Sequence, residues 1–186
     1  PNTAIAVNDV VFWMGQENFY LYDGRTQAIP CSVRDYVFND MNNQQSFKFH
    51  AGSIGSQTEI WWFYCSSSAT EIDRYVVYNY GQQVWYYGTL VRTTWNDRAS
   101  GLRSFPQATG TDFYLYDHEN GLDDFSTGSR VAINAFVESS DFDIGDGQQF
   151  MLLNRILPDL SFNGSTAANP AALFTIRSRD FGGDNF

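Results

Sequence analysis

The stretch Glu59-Ile-Trp-Trp-Phe-Tyr-Cys65 decides the fold, because aromatic and β-branched residues follow one another in it without a break. Such a run is too short and too bulky for a helix and is typical of a buried strand. The chain returns through Arg74 to Tyr80 and again through Gln83 to Thr89, with turn residues between the runs. The pattern predicts an antiparallel meander that is apolar on both faces, and such a sheet must be covered on both sides.

The composition restricts the classes of protein to which the chain can belong. Its 186 residues suffice for one domain or a large part of one, and 17% of them are aromatic. The net charge of −10 argues against a sequence-independent grip on nucleic acid, which needs a basic patch. No apolar run approaches the ~20 residues that span a bilayer. Because the chain opens on Pro1, without a methionine or a signal peptide, we expect it to be a fragment of a longer protein.

Three aromatic segments resemble one another: Phe19 to Asp23, Tyr75 to Asn79 and Phe113 to Asp117. Each is typical of a strand that ends in Tyr followed by Asp or Asn, residues that favour a turn. Their intervals bracket the ~40–50 residues of a β-propeller blade, in which small meanders pack face to face. The predicted fold class is therefore all-β, with antiparallel meander blades that form part of a β-propeller. Chance recurrence of Tyr-x-Tyr in a strand-rich protein is the alternative.

Large aromatic side chains are predicted to fill the interior between these small sheets. The predicted core residues are Trp13, Tyr22, Trp61, Trp62, Tyr78, Trp85 and Tyr116. Residues 34–42 suit a short helix or a packed loop better than a strand.

The character of the chain changes after the third aromatic segment. We assign residues 1–128 to the propeller-blade region, and residues 129–186 either to further strands of the same domain or to a small β subdomain, such as a β-sandwich. Strands are predicted over 130–138, 149–156 and 171–179. On the solvent face of the last of these, Arg177 and Arg179 are candidates for a subunit contact, and a plain solvated face is the alternative.

Acidic clusters are the nearest candidates for a metal site or a catalytic site. Asp141, Asp143 and Asp146 lie on a Gly-rich turn that could gather oxygens around calcium, although the closing Glu of an EF-hand loop is missing. A solvated hairpin turn is favoured over calcium. The carboxylates that a glycosidase could use are Asp117, Glu119, Asp123 and Asp124. A raised-pKa acid needs an apolar pocket, and this polar loop favours solvated side chains.

Histidine and cysteine likewise point away from catalysis. Nothing near His50 or His118 suggests a triad or a ligand set. Cys31 and Cys65 are expected to be buried free thiols in preference to a disulfide, and two cysteines are too few for a metal site. The sequence thus predicts no enzyme activity and no cofactor.

Several phrases of the sequence resemble one family of virion proteins. The phrases in the centre of the chain are Glu59-Ile-Trp-Trp-Phe-Tyr64, Asp73-Arg-Tyr-Val-Val-Tyr-Asn-Tyr80, Trp85, Gly88-Thr-Leu90 and Arg92-Thr-Thr-Trp95. The flanking phrases are Asp9-Val-Val-Phe-Trp13 before Phe19-Tyr-Leu-Tyr-Asp-Gly24, and Asp141-Phe-Asp-Ile144 before Ile156-Leu-Pro-Asp159. Together they are similar to the tail hub or nozzle proteins of short-tailed bacteriophages, also called packaged-DNA stabilisation proteins.

This resemblance implies a β-propeller-containing virion protein without enzyme activity. Its partners would be copies of itself in a ring around the tail axis, together with other tail or portal proteins. The ring would form part of the conduit that retains and then releases DNA, and DNA would pass without specific binding. The implied location is the phage tail of the virion, assembled in the host cytoplasm.

A carbohydrate-binding or glycosidase-type β-propeller module is the alternative function. In that case Trp61, Trp62 and Trp85 would stack on sugar rings and would have to be exposed in a cleft beside a carboxylate. In a structural protein, the same indoles would be buried between sheets. The exposure of these tryptophans therefore separates the two hypotheses.

Overall fold

A computed structural model of the chain describes residues 2–97, 105–125, 128–133, 135–139, 150–165 and 167–179. The elements are mostly short strands that form four antiparallel sheets, with little helix. The prediction of an all-β fold is confirmed. By its internal contacts the chain divides into two units, 1–120 and 121–186. No described helix is long and apolar enough to cross a membrane.

The first sheet is a four-stranded meander. Its strands are β1 (Ala4–Val7), β2 (Val10–Met14), β3 (Phe19–Tyr22) and β4 (Thr26–Ala28), which are hydrogen-bonded in chain order. Asn8 and Asp9 both have positive φ, at 51° and 64°, and they form the two-residue turn between β1 and β2. Turns with positive φ at both central residues match the twist of the strands they join, and Asn and Asp tolerate that conformation.

A short helical segment connects the first sheet to the second. It comprises α1 (Arg34–Asp40), as predicted for this region, and a 3-10 helix over Asn43–Lys48. Val37 of α1 is fully buried in the main core. Asn42 caps the 3-10 helix, because its side-chain oxygen accepts a hydrogen bond from the amide of Gln44 at 3.1 Å.

The central sheet is the predicted meander. Its strands are β5 (His50–Ile54), β6 (Glu59–Tyr64), β7 (Arg74–Asn79) and β8 (Val84–Thr89), again hydrogen-bonded in chain order. Because side chains alternate along a strand, Ile60, Trp62 and Tyr64 point to one face of this sheet. Trp61 and Phe63 point to the other face. Both faces are covered, as the apolar sequence on both sides requires.

The third sheet has three strands, β9 (Thr94–Asn96), β10 (Gln107–Thr109) and β11 (Leu115–Asp117). The three similar aromatic segments identified in the sequence supply β3, β7 and β11, which are the third strands of their respective sheets. The first strands are neighbours in space, since β1 contacts β5 and β5 contacts β9. Among the described residues, the sheets do not close into a ring.

The main core lies between the first sheet and the central sheet. Its fully buried side chains include Phe19 from β3 and Trp62 and Val76 from the central sheet. Cys65 is a buried free thiol and Cys31 a half-buried one, as expected. Burial raises the pKa of each thiol to about 11, so both stay protonated at neutral pH.

In residues 121–186 the predicted strands are mostly wrong. The described residues of this unit contain one hairpin, β12 (Asp123–Asp124) with β13 (Val131–Ala132). The described parts of 149–156 and 171–179 contain no strand. A strand forms only when its backbone groups find a partner, and apolar alternation in the sequence does not supply one.

Candidate functional site

Two neighbouring tryptophans of β6 serve opposite faces of the central sheet. The Trp62 side chain is fully buried, with its ring centroid 4.9 Å from that of Phe19 and 5.9 Å from that of Trp85. Its indole Nε1 donates a hydrogen bond to the carbonyl oxygen of Thr3 at 2.9 Å. An indole whose face and N–H are both used by the protein holds two sheets together and offers nothing to a ligand.

Trp85 of β8 belongs to the same packed group. Its ring lies 4.6 Å from Phe19 and 4.6 Å from Tyr78, and its Nε1 donates to the carbonyl oxygen of Pro30 at 2.8 Å. Trp85 and Pro30 also line an open depression beside Cys31. Ser32 and Gln83 are its polar lining residues, and the indole N–H is already bonded to the protein, so Trp85 itself offers no polar group to a ligand there.

On the opposite face, Trp61 lies between two other rings. Its centroid is 4.7 Å from that of Tyr75 and 5.4 Å from that of Trp95, with the two indoles only 12° from parallel. The Trp61 Nε1 donates to Glu59 Oε2 at 3.0 Å, and Glu59 is only 6% exposed. The Glu59 carboxylate therefore fixes an indole inside the protein.

Gly52 of β5 allows the third sheet to approach the central sheet closely. A Cβ placed on this residue would lie 2.3 Å from Cδ1 and 2.5 Å from Cγ of Trp95, which is far inside van der Waals contact. The Trp95 Nε1 also donates to the carbonyl oxygen of Ser53 at 3.0 Å. A glycine within a strand often marks such a close approach, and the sequence analysis did not use that signal.

A cluster centred on Arg92 packs against the other side of Trp95. The Arg92 Nε donates to His118 Nε2 at 2.8 Å, and the guanidinium lies 4.1 Å from the centre of the Tyr116 ring. The Tyr116 hydroxyl in turn donates to the carboxylate of Asp112. The His118 ring packs against Trp95 at a centroid distance of 4.8 Å, with the two rings tilted by 40°. This cluster joins the end of β11 to the aromatic layer.

The electrostatics of the Arg92 cluster argue against a general base at His118. Burial, followed by the neighbouring Arg92 guanidinium, lowers the pKa of His118 from 6.5 to about 4. The neutral ring then accepts a hydrogen bond at Nε2 and carries its proton on Nδ1. A base must have a free lone pair for a substrate proton, and here the lone pair is already bonded to Arg92.

The neutral state of His118 predicts a loss of stability in acid. Its stabilising contribution is complete above pH 6.5 and is lost as the pH falls towards about 4, because the unfolded state takes up the proton first. We expect the loss to reach about 1–2 kcal/mol, allowing for partial solvent exposure. Urea unfolding of the wild type and of His118→Gln at pH 7.5 and pH 4.5 measures it. Glutamine retains an acceptor for Arg92, and an equal pH dependence in both proteins would contradict the prediction.

Most of the predicted core residues are found inside the protein. Trp62 and Tyr78 are buried, and Trp61, Trp85 and Tyr116 are partly buried. Trp13 is partly buried as well, but its ring stacks on Tyr20 at 5.4 Å on the outer face of the first sheet and not between sheets. The prediction that Tyr22 belongs to the core is wrong, because this residue is 48% exposed. It is the last residue of β3 and shares the outer face of the first sheet with Tyr20, whereas Phe19 faces the core.

The predicted acidic cluster does not form a catalytic pair. Asp117 accepts a hydrogen bond from Gln107 at 2.7 Å, and Glu119 accepts one from Gln57 at 2.9 Å. Asp123 and Asp124 belong to the other unit, where Asp123 lies 3.7 Å from Arg130. The two carboxylates of the predicted cluster that belong to the first unit, Asp117 and Glu119, thus accept hydrogen bonds from glutamine side chains of the protein.

The remaining predicted site residues belong to the second unit, residues 121–186. Asp141, Asp143 and Asp146 fall outside the described residues. Within the part of the chain that is described, no group of three or more His, Cys, Asp or Glu side chains could hold a metal ion. The Arg177 guanidinium lies 3.1 Å from Glu138 Oε1, and Arg179 is partly buried. Neither arginine lies in a strand.

These contacts define an all-β protein built from stacked antiparallel meanders whose tryptophans join the sheets. Comparison with protein-family models found no match, and comparison with curated proteins found no significant similarity.

Proposed function

We propose that this chain is a structural subunit of a short-tailed phage tail, of the hub or nozzle kind. In this role it acts by shape and assembly and catalyses no reaction. Copies of it surround the tail axis, beside other tail or portal proteins, and form part of the conduit that retains and then releases DNA. The subunit is assembled in the host cytoplasm and remains in the virion.

The observation that carries this proposal is that tryptophan side chains of the central sheet pack against other rings of the protein. Trp61, Trp62 and Trp85 each contact other rings, and each indole N–H donates to a group of the protein itself. A carbohydrate-binding or glycosidase site would need at least one such ring open on a cleft. Trp62 is fully buried and Trp61 is stacked between two rings, while Trp85, at the edge of the open depression, has its N–H bonded to the protein. These contacts weigh against the carbohydrate alternative and support a role in which rigidity matters.

The repeated sheets support a β-propeller as the architecture of this subunit. Each sheet is a meander, and the sheets begin at Ala4, His50 and Thr94, roughly 45 residues apart as blades are. The first strands lie next to one another, as the inner strands of blades do around an axis. A propeller is stiff because neighbouring blades share their faces, and stiffness suits a conduit under pressure.

The acidic composition supports passage of DNA without binding. With a net charge of −10, a ring of subunits presents a negative field that repels phosphate. We expect lysine in place of Asp123, Asp124 and Asp143 to slow DNA ejection from virions that carry this chain, because basic side chains hold the backbone.

The ejection rate, measured by the release of a DNA-binding dye, tests this expectation. Added salt should restore the rate, since phosphate contacts are screened by counterions. The matched control replaces the same three residues by asparagine, which removes the charge without adding a cation. An unchanged ejection rate in the lysine variant would remove the proposal that this chain lines a DNA conduit.

A further inference from the structure

Residues 171–179, called here the C-terminal arm, combine a strand-forming sequence with the absence of a paired strand among the residues that the structure describes. The arm contains no described strand, and Leu173, Phe174 and Ile176 are 92%, 51% and 58% exposed. It carries Arg177 and Arg179 and no acidic residue. Three large apolar side chains in a row of nine residues are costly to leave in water. The arm therefore has the character of a segment that is covered in an assembly.

The strand β8 offers an open edge of matching length on the first unit. It is the last strand of the central sheet, and among the described residues it pairs with β7 alone. Val84, Tyr86 and Tyr87 are 45%, 37% and 44% exposed, and the strand contains no charged residue and no proline. Natural edge strands usually carry one of these protections. The outer strands β4 and β11, with three residues each, are shorter edges.

The charges near the β8 edge also favour binding of the arm. Burial and the nearby carboxylate of Glu59, with a smaller effect of Glu119, raise the pKa of the Tyr86 hydroxyl, so both acids lie close to β8. Glu119 is itself exposed and is held by Gln57 at 2.9 Å. An incoming segment with two arginines and no acid is attracted to this edge, whereas an acidic segment is repelled.

We infer that the C-terminal arm of one copy adds as a strand to the β8 edge of a second copy of the chain. Main-chain hydrogen bonds then pair β8 with the arm, the apolar side chains of the arm cover the exposed tyrosines of β8, and the arginines are attracted by the exposed Glu119. The contact is head-to-tail, so repetition builds a closed ring when the rotation between copies permits. The inference rests on the proposed function for the ring and adds the surfaces that make it.

The test measures the oligomeric state of the 186-residue chain by sedimentation velocity across a concentration series. We expect Leu173→Asp to weaken self-association at least about tenfold, because a carboxylate replaces a buried side chain of the interface. The matched control is Val137→Asp, which makes the same kind of change at a fully exposed residue of the same unit outside the arm. It should leave the association unchanged.

A second pair of variants tests the other side of the contact. Val84→Lys should weaken association by placing a cation beside the arginines of the arm, and Val84→Glu should weaken it less. Hydrogen exchange in the associated state should protect the amides of both β8 and the arm, and dilution should remove the protection from both.

The outcomes separate this inference from the proposed function. Association that survives Leu173→Asp, or protection that misses β8, overturns the interface and leaves a ring built by other surfaces. A chain that stays monomeric at every concentration overturns the interface and also contradicts the ring itself. The ejection measurement with the lysine variant is independent of both results.

Discussion

Replacing Trp62 by alanine is expected to lower the free energy of unfolding by about 3–5 kcal/mol, the range typical of a deleted core aromatic. The side chain is fully buried between the first sheet and the central sheet, so its removal leaves a cavity in the main core. The substitution also leaves the carbonyl oxygen of Thr3 without its indole donor. Urea unfolding followed by circular dichroism measures the change.

The control for this result is Tyr22→Ala. Tyr22 is also an aromatic residue of a β-strand, but it is 48% exposed and lies on the outer face of the first sheet. We expect its loss to cost less than about 0.5 kcal/mol, as for a surface substitution. Comparable costs for the two substitutions would mean that the sheets do not pack through Trp62.

Replacing Gly52 by alanine is expected to cost about 2–3 kcal/mol, although only one methyl group is added. The new Cβ would lie 2.3 Å from Cδ1 of Trp95, at the base of a rigid ring that cannot swing aside alone. The third sheet would have to move away from β5 and would lose the stacking of Trp95 on Trp61. Urea unfolding measures the cost.

A double-mutant cycle with Trp95→Ala identifies the cause. If the clash with the indole is responsible, Gly52→Ala should cost much less in the background of Trp95→Ala, because Cδ1 and Cγ are then gone and only the Cβ at 3.0 Å remains close. Gly55→Ala is the matched glycine control, since the nearest atom to its added Cβ is Asp97 Oδ2 at 3.3 Å, which lies at the end of a side chain that can shift slightly. A cost of Gly52→Ala that persists without Trp95 would contradict this account.

The two sets of substitutions both test how tightly the central sheet packs against its neighbours, one on each of its faces. Trp62 tests the contact with the first sheet, and Gly52 tests the contact with the third. Both contacts depend on aromatic rings that the alternative function would need as an exposed platform. Large effects at both positions would therefore favour a protein that works as a rigid stack of sheets.

Much of the first unit could be predicted from local patterns. Alternation along Glu59–Tyr64 separates Trp61 from Trp62, since successive side chains of a strand point to opposite faces. The recurring Tyr-Asp or Tyr-Asn ends placed the turns after β3 and β7 near their observed positions, whereas the β1–β2 hairpin at Asn8 and Asp9 was seen only in the structure. These features depend on residues close in the chain, and local chemistry is what a single sequence records.

The Arg92 cluster could not be predicted in the same way. His118 is hydrogen-bonded to Arg92 and packed against Trp95, although it lies more than twenty residues from either in the chain. The segments Phe113 to Asp117 and Thr94 to Asn96 had to be brought together by β10 before these groups could meet. No spacing within the sequence encodes that meeting.

By itself, the sequence determined the class of fold, the central meander and the covering of both its faces, because unbroken aromatic and β-branched runs have few stable alternatives to buried strands. Only the tertiary structure decided that Tyr22 faces outward, that Gly52 lies against Trp95, and that the C-terminal arm pairs with no strand in the described parts of the chain. The physical reason is that burial and strand pairing belong to two segments at once. The type of a side chain limits how much apolar surface a residue can bury. The segments packed against it in the folded protein determine how much it does bury.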